Sequence, residues 1–207
     1  MLGHLRDPAN AITAIGIAIS GTALATLITG RTEIALALGL CSVLADQVDG
    51  VVAGRTRGRD AETAKFGKCL DALGDLLYGA TLPALVIVTT VQHSPFAVVV
   101  AALLLVAGAL RLSYFSVFGL SDGAFYGVPL SYDVPLLSFF FLARPWIPAA
   151  SFAPILIIFF AILAVLHMAP LRIPAPRGGA YIAITALCIV LSIALLAEAM
   201  WLHRTTR

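Results

Sequence analysis

Four aspartates carry the chemistry this sequence can offer. Asp46 and Asp49 stand three residues apart, Asp71 and Asp75 four apart. On helices, each spacing puts both carboxylates on one face. Gly50 and Ala53 continue the first face; Gly67 and Gly79 continue the second, with Gly74 beside them. Both pairs thus stand in rows cleared of bulky side chains, and the two faces can meet around one pocket. Carboxylate oxygens are hard ligands, suited to Mg²⁺ or Mn²⁺ together with substrate phosphates. Two such ions about 3.5–4 Å apart clamp a phosphoryl group during in-line displacement. The small residues would let a nucleotide approach the helix backbones closely.

The stretch from Asp46 to Asp75 holds six of the chain's eleven acidic residues and five of its thirteen basic ones, between long apolar runs. At a helix centre in a bilayer an ionised Asp costs roughly 2.5–3.5 kcal/mol. Four uncompensated carboxylates need a divalent cation, basic partners or a place near the aqueous interface.

The elements that position them are membrane helices. Apolar residues make up 60% of the 207 and charged residues only 12%, against about 25% charged in soluble domains. The expected fold is an all-α, polytopic integral membrane bundle of about six to seven transmembrane helices, one domain over residues 1–207. Residues 1–9 are expected to form a juxtamembrane segment. Apolar runs are expected at 10–29, 33–55, 64–91, 96–118, 128–143, 152–168 and 180–202, the fifth being short for the roughly 20 residues a span needs. Arg6, the cluster from Arg55 to Lys68, Arg111, Arg172 and Arg177 fall on one side, Arg31 and Arg144 on the other. The first side, bearing both Asp pairs, is then cytoplasmic. A seven-span count puts Arg204 and Arg207 outside, against that rule. No extended basic patch exists outside the central loop, which argues against nucleic acid as a partner.

The pattern Asp46-x2-Asp49-Gly50-x2-Ala53, then Gly67-x3-Asp71-x3-Asp75, resembles the signature of the CDP-alcohol phosphatidyltransferase family. The insert ending in RDAETAKFG is similar to some members of its phosphatidylserine synthase branch. Arg111, Leu112, Phe115, Gly127 and Pro129 match a further serine synthase segment, whereas Tyr114 and Ser116 stand where that branch has a second Arg and an Asn. The lead-in from Pro8 to Thr13 resembles the family's Pro-Asn-x-x-Thr; it implies that Thr13 lies beside the nucleotide, while Asn10 alternatively only caps the first helix. One departure is plain: the family has Arg directly after the Ala, where this chain has Gly54 followed by Arg55.

The resemblance implies a membrane enzyme that moves a phosphatidyl-type group from a CDP-linked lipid (CDP-diacylglycerol) to a small hydroxyl acceptor, releasing CMP. Asp46, Asp49, Asp71 and Asp75 would hold two divalent ions, with Asp75 also the general base. Thr13, Asp49, Gly50, Ala53, Arg55 and Gly67 would bind the nucleotide, and Arg111 the acceptor. Serine is the first acceptor to test; glycerol phosphate, inositol phosphate, another alcohol, or transfer of a CDP-linked head group to a lipid alcohol share the signature. The resemblance also implies a homodimer. Rival readings are an intramembrane prenyltransferase, which lacks the glycine and alanine clearance, and a cation transporter, which tends to place its carboxylates near the midplane of repeated halves.

Overall fold

The computed structural model describes residues 1–91, 94–119, 123–176 and 178–205, with side chains described to Trp201. Arg177, Arg207 and the side chain of Arg204, used above for orientation, lie outside the described residues. The helices are α1 (Pro8–Ile28), α2 (Thr32–Arg55), α3 (Ala61–Asp75), α4 (Leu82–Thr90), α5 (Pro95–Phe118), α6 (Asp133–Ala143), α7 (Ala149–Met168) and α8 (Gly179–Thr205). A π-helical stretch, Leu76–Thr81, joins α3 to α4 in one continuous rod. Residues 2–6 form a short 3₁₀ helix that leads into α1. Two three-residue strands, β1 (Ala124–Tyr126) and β2 (Arg172–Pro174), pair antiparallel with Phe125 opposite Ile173.

Local chemistry explains the helix starts. Asp7, rather than Asn10, caps α1: its Oδ1 accepts the Asn10 N–H at 3.0 Å, and Pro8 fills the first helical position, where its missing N–H costs nothing. Asp60 caps α3, accepting from Thr63 N at 2.8 Å and Thr63 Oγ1 at 2.7 Å. Gly58, at φ +72°, turns the chain back between α2 and α3, a conformation that suits glycine.

Among the described residues six helical stretches are long and apolar enough to cross a membrane: Pro8–Ile28, Thr32–Arg55, Ala61–Thr90, Pro95–Phe118, Ala149–Met168 and Gly179–Trp201. The chain nevertheless traverses the bundle a seventh time. At one end Asp133, opening α6, meets His167 near the close of α7, and Tyr181, opening α8, meets Gln47 on α2. At the other end Glu33, Thr90, Arg144 and Glu198 line one cavity. So α6 runs from the carboxylate end to the far end. Its 11 residues rise only about 16 Å, but 3₁₀ turns at Leu130–Tyr132 and Arg144–Trp146 extend it by about 2 Å per residue. The α8 turn that carries Glu198 therefore lies away from the Asp pairs.

Small residues set the packing, as expected where helices meet in lipid. A Cβ on Gly16 would stand 3.2 Å from Ala45 Cβ, so α1 and α2 run close, tied also by Ser20 Oγ to Ser42 Oγ at 3.0 Å. A side chain on Gly39 would displace Leu82 and Val134. The core lies between α2, α4, α5, α6 and α7, with Leu36, Leu40, Ile87, Leu104, Leu137, Leu156 and Phe160 fully buried.

Candidate active site

The last turns of α2 and the body of α3 bring the aspartates together. One carboxylate oxygen each from Asp46, Asp49 and Asp71 lies within 4.8 Å of the others. Asp75 sits a turn further along, and Asp46 reaches hydrogen-bonding range of both Asp71 and Asp75. Among the described residues the ion pairs are Arg59–Asp7 and His167–Asp133, so no Lys or Arg pairs directly with any of the four. Of the compensations open from sequence, basic partners act only at a distance, Arg59 on Asp49 and Arg111 on Asp75. An oxygen-only donor set this close fits a hard divalent cation, and Asp46, Asp49 and Asp71 could hold one.

Each member has a distinct setting. Asp49 is 5% exposed, and Thr13 Oγ1 lies 2.5 Å from its Oδ2 and 3.0 Å from the Ala9 carbonyl. The hydroxyl can donate to the carboxylate and fix one oxygen, leaving the other for the cluster. The buried Tyr78 does the same for Asp75, donating to Oδ1 at 2.5 Å. Tyr78 lies in the π stretch, a local widening often found at functional sites.

Two cavities open on the cluster from opposite sides of α2. The first, about 180 Å³, has Asp49 and Asp71 in its wall together with Thr13, Gly50, Ala53 and Gly67. These include five of the six residues assigned to the nucleotide. Arg55 is not among the lining residues and is exposed; Arg59 and Lys68 line the cavity instead. Gly50 is open, with nothing within 4 Å of a Cβ, whereas a Cβ on Gly67 would collide with Asn10 Oδ1 and lie 2.5 Å from Arg59 Nη2. The second cavity, about 400 Å³, is lined by Asp46, Gln47 and Gly50 from α2, Phe125 and Pro129, Tyr132, and Tyr181 from α8. Tyr181 donates to the Gln47 carbonyl, and Thr185 Oγ1 to Gln47 Oε1 at 2.7 Å, which anchors α8 beside Asp46.

Arg111 lies behind the second cavity's wall. It is 8% exposed, its guanidinium is 5.5 Å from the Phe125 ring centroid, and its Nε has no hydrogen-bond partner among the described residues. The carboxylates of Asp75 and Asp133 flank it electrostatically. Beyond it, the fully buried Asp133 pairs with His167 Nε2 at 3.0 Å, and His167 Nδ1 meets the Val128 carbonyl at 2.8 Å. Sequence reasoning missed Arg59, Lys68, Tyr78 and the Asp133–His167 pair. The only signal for the last was a lone charge and a lone imidazole within apolar runs.

A sequence model described as CDP-alcohol phosphatidyltransferase matches residues 7–205. The archaetidylserine synthase of Methanothermobacter thermautotrophicus is 34% identical over 116 residues, 56% of this chain and 49% of that protein. The match spans about half the length of this relative. With the match reaching from the cap of α1 into the last turn of α8, and both aspartate pairs converging inside that span, this chain belongs to the CDP-alcohol phosphatidyltransferase family, membrane transferases of phospholipid synthesis.

Proposed function

We propose that the enzyme moves a phosphatidyl-type group from a CDP-linked lipid to serine, releasing CMP. The observation that carries this reading is the carboxylate cluster shared between a small cavity and a larger one on either side of α2. The small cavity takes the cytidine diphosphate, with Thr13, Asp49, Gly50, Ala53 and Gly67 around the nucleotide. The larger one admits the acceptor, with Arg111 behind Phe125 as the cation offered to its carboxylate. The partial relative's name, which specifies serine as the esterified alcohol, supports that acceptor.

Asp46, Asp49, Asp71 and Asp75 would hold the divalent ions, Mg²⁺ or Mn²⁺. Bound there, such ions neutralise charge on the transferring phosphoryl group and on departing CMP. The chain's own residues do the rest. The small-residue faces of α2 and α3 admit the diphosphate, and Thr13 holds Asp49 in place. Tyr78 holds Asp75 by one oxygen, leaving the other to take the proton from the acceptor hydroxyl. The acceptor's hydroxyl oxygen, thus deprotonated, forms its bond to the lipid-bearing phosphorus as the phosphoanhydride bond to CMP breaks and CMP leaves with its phosphate oxygen.

The carboxylate end faces the cytoplasm in this proposal, since nine of the thirteen Lys and Arg residues belong to it by chain position. The whole chain acts as one domain and pairs as a homodimer. The test is an acceptor screen on the detergent-solubilised protein with CDP-diacylglycerol and its ether-linked counterpart, reading CMP release. Serine-dependent release that stops in excess chelator is expected. Release with glycerol phosphate or inositol phosphate but not serine would reassign the acceptor; no release with any alcohol would sink the reading.

A further inference from the structure

The loop between α2 and α3 delivers a cation that no spacing in the sequence announced. Arg59 follows the Gly58 turn and folds back over α1 and α3, where it lines the cavity that holds Asp49, Gly67 and Asp71. Its Nε lies 3.1 Å from Asp7 Oδ2, and its Nη2 donates to Asn10 Oδ1 at 2.5 Å. Asn10 is 1% exposed and its amide is fixed: Nδ2 donates to the His4 carbonyl at 3.0 Å and the Thr63 carbonyl at 3.2 Å, leaving the oxygen turned to Arg59. Gly67 supplies the space, since a Cβ there would meet both Asn10 and Arg59.

These contacts use part of the guanidinium. It has five donors in a rigid fork; Nη2 serves Asn10, while Nε pairs with Asp7 by charge without a hydrogen bond. Asp7 also caps α1, so its charge is shared with the helix N-terminus and does not belong to Arg59 alone. The other cation on the cavity wall, Lys68, has its Nζ 2.6 Å from the Ser116 carbonyl. A ligand with paired phosphates would bring several negative charges into a space whose opposite wall carries Asp49 and Asp71. A planar fork that donates two parallel hydrogen bonds is the group that suits it.

We propose that Arg59 is the guanidinium that receives the donor's diphosphate, held over the cavity by Asp7 and Asn10. The proposal rests on the reading that this cavity takes the cytidine nucleotide, and it assigns to Arg59 the role that the family resemblance implies for Arg55. Gly67 then serves the cation as much as the nucleotide: its bare backbone is what lets the guanidinium lie against α3.

The experiment compares CDP with cytidine, which shares the base and ribose and lacks phosphate, by calorimetry on the full-length protein in detergent with Mn²⁺. Arg59→Ala should weaken CDP about 10- to 100-fold, the range for charged hydrogen bonds, while cytidine stays within about twofold. Arg57→Ala should change neither. Arg59→Lys keeps the charge and the reach to Asp7 but loses the fork, so CDP should weaken there too; this variant decides if Arg59→Ala fails to fold. Equal losses for CDP and cytidine would make Arg59 structural, and unchanged CDP affinity would remove its role. A CDP-selective loss in Arg55→Ala alone would return the role to that residue. Wild-type protein that binds neither compound would overturn the nucleotide reading, and this proposal with it.

Discussion

Replacing Gly127 by alanine tests whether the loop after α5 is locked onto the end of α7. Gly127 has φ +74°, and a Cβ there would press into the His167 carbonyl oxygen and lie 2.7 Å from its carbon. The obstacle is backbone, so no rotamer change can clear it. Left-handed backbone costs a residue with a Cβ about 1–2 kcal/mol. Moving the loop away also breaks Gly127 N to Leu171 O at 2.9 Å and Val128 N to Leu166 O at 3.1 Å, each worth about 1 kcal/mol. The sum is about 3–4 kcal/mol. At about 2–4 °C per kcal/mol for a chain of this size, thermal unfolding in detergent should begin roughly 6–16 °C lower. Since the loop carries Phe125 and Pro129 of the larger cavity, the acceptor's apparent KM should rise. CDP affinity, read at the smaller cavity, should hold. An unfolding midpoint within about 3 °C of the parent, roughly 1 kcal/mol, would refute the reasoning, as would a loss of CDP affinity that leaves the acceptor's KM unchanged.

Other expectations concern single side chains. Asp46→Asn and Asp71→Asn should each abolish divalent-dependent CMP release while the protein still purifies as a folded species; substantial turnover in both, or full wild-type activity in excess chelator, would dismiss the metal assignment. Asp75→Asn should keep CDP affinity and lose transfer, and Tyr78→Phe, which removes the 2.5 Å hydrogen bond to Asp75, should lower kcat by about 10- to 100-fold; loss of CDP binding in Asp75→Asn would strike out its role as base and leave only that of metal ligand. Asp60 offers a pH test. Hydrogen bonds from the backbone and hydroxyl of Thr63 hold its carboxyl below the ordinary value. Its cap is therefore complete above the unfolded carboxyl range near pH ~4, and it is lost as pH falls through the lower folded value. Asp60→Asn should flatten the acid limb of the thermal-stability profile, and an identical limb in both proteins would count against the cap.

What the sequence made legible was local. The spacings of Asp46 and Asp49, and of Asp71 and Asp75, are short-range facts about helix faces, and α2 and α3 present them together. The short fifth run was also readable as a weak span, and α6 crosses with help from two 3₁₀ turns. What escaped depends on chain reversal or distance. Arg59 reaches the cavity because Gly58 turns the loop, so a helical wheel through Ala53 and Arg55 cannot find it. Asn10 looked like a cap because its position suits one, but Asp7 already occupies that place and frees Asn10 to brace Arg59. Asp133 and His167 are 34 residues apart on different helices, and no periodicity could pair them.

The π stretch between α3 and α4 has a consequence for how this rod can change over time. A π turn is an α-helix carrying an inserted residue, here within Leu76–Thr81, where Thr81 Oγ1 reaches the Leu76 carbonyl at 2.9 Å. The rod therefore holds two angular registers. One fixes Asp71 and Asp75 against α1 and α2; the other fixes Leu82, Val86 and Ile87 in the apolar core. Removing one residue from the joint would restore a plain α-helix and rotate one half against the other by about 100°, so the carboxylates and the core could no longer both be in place. With the joint kept, the core-packing half and the carboxylate-bearing half each hold their own angular setting on one rod.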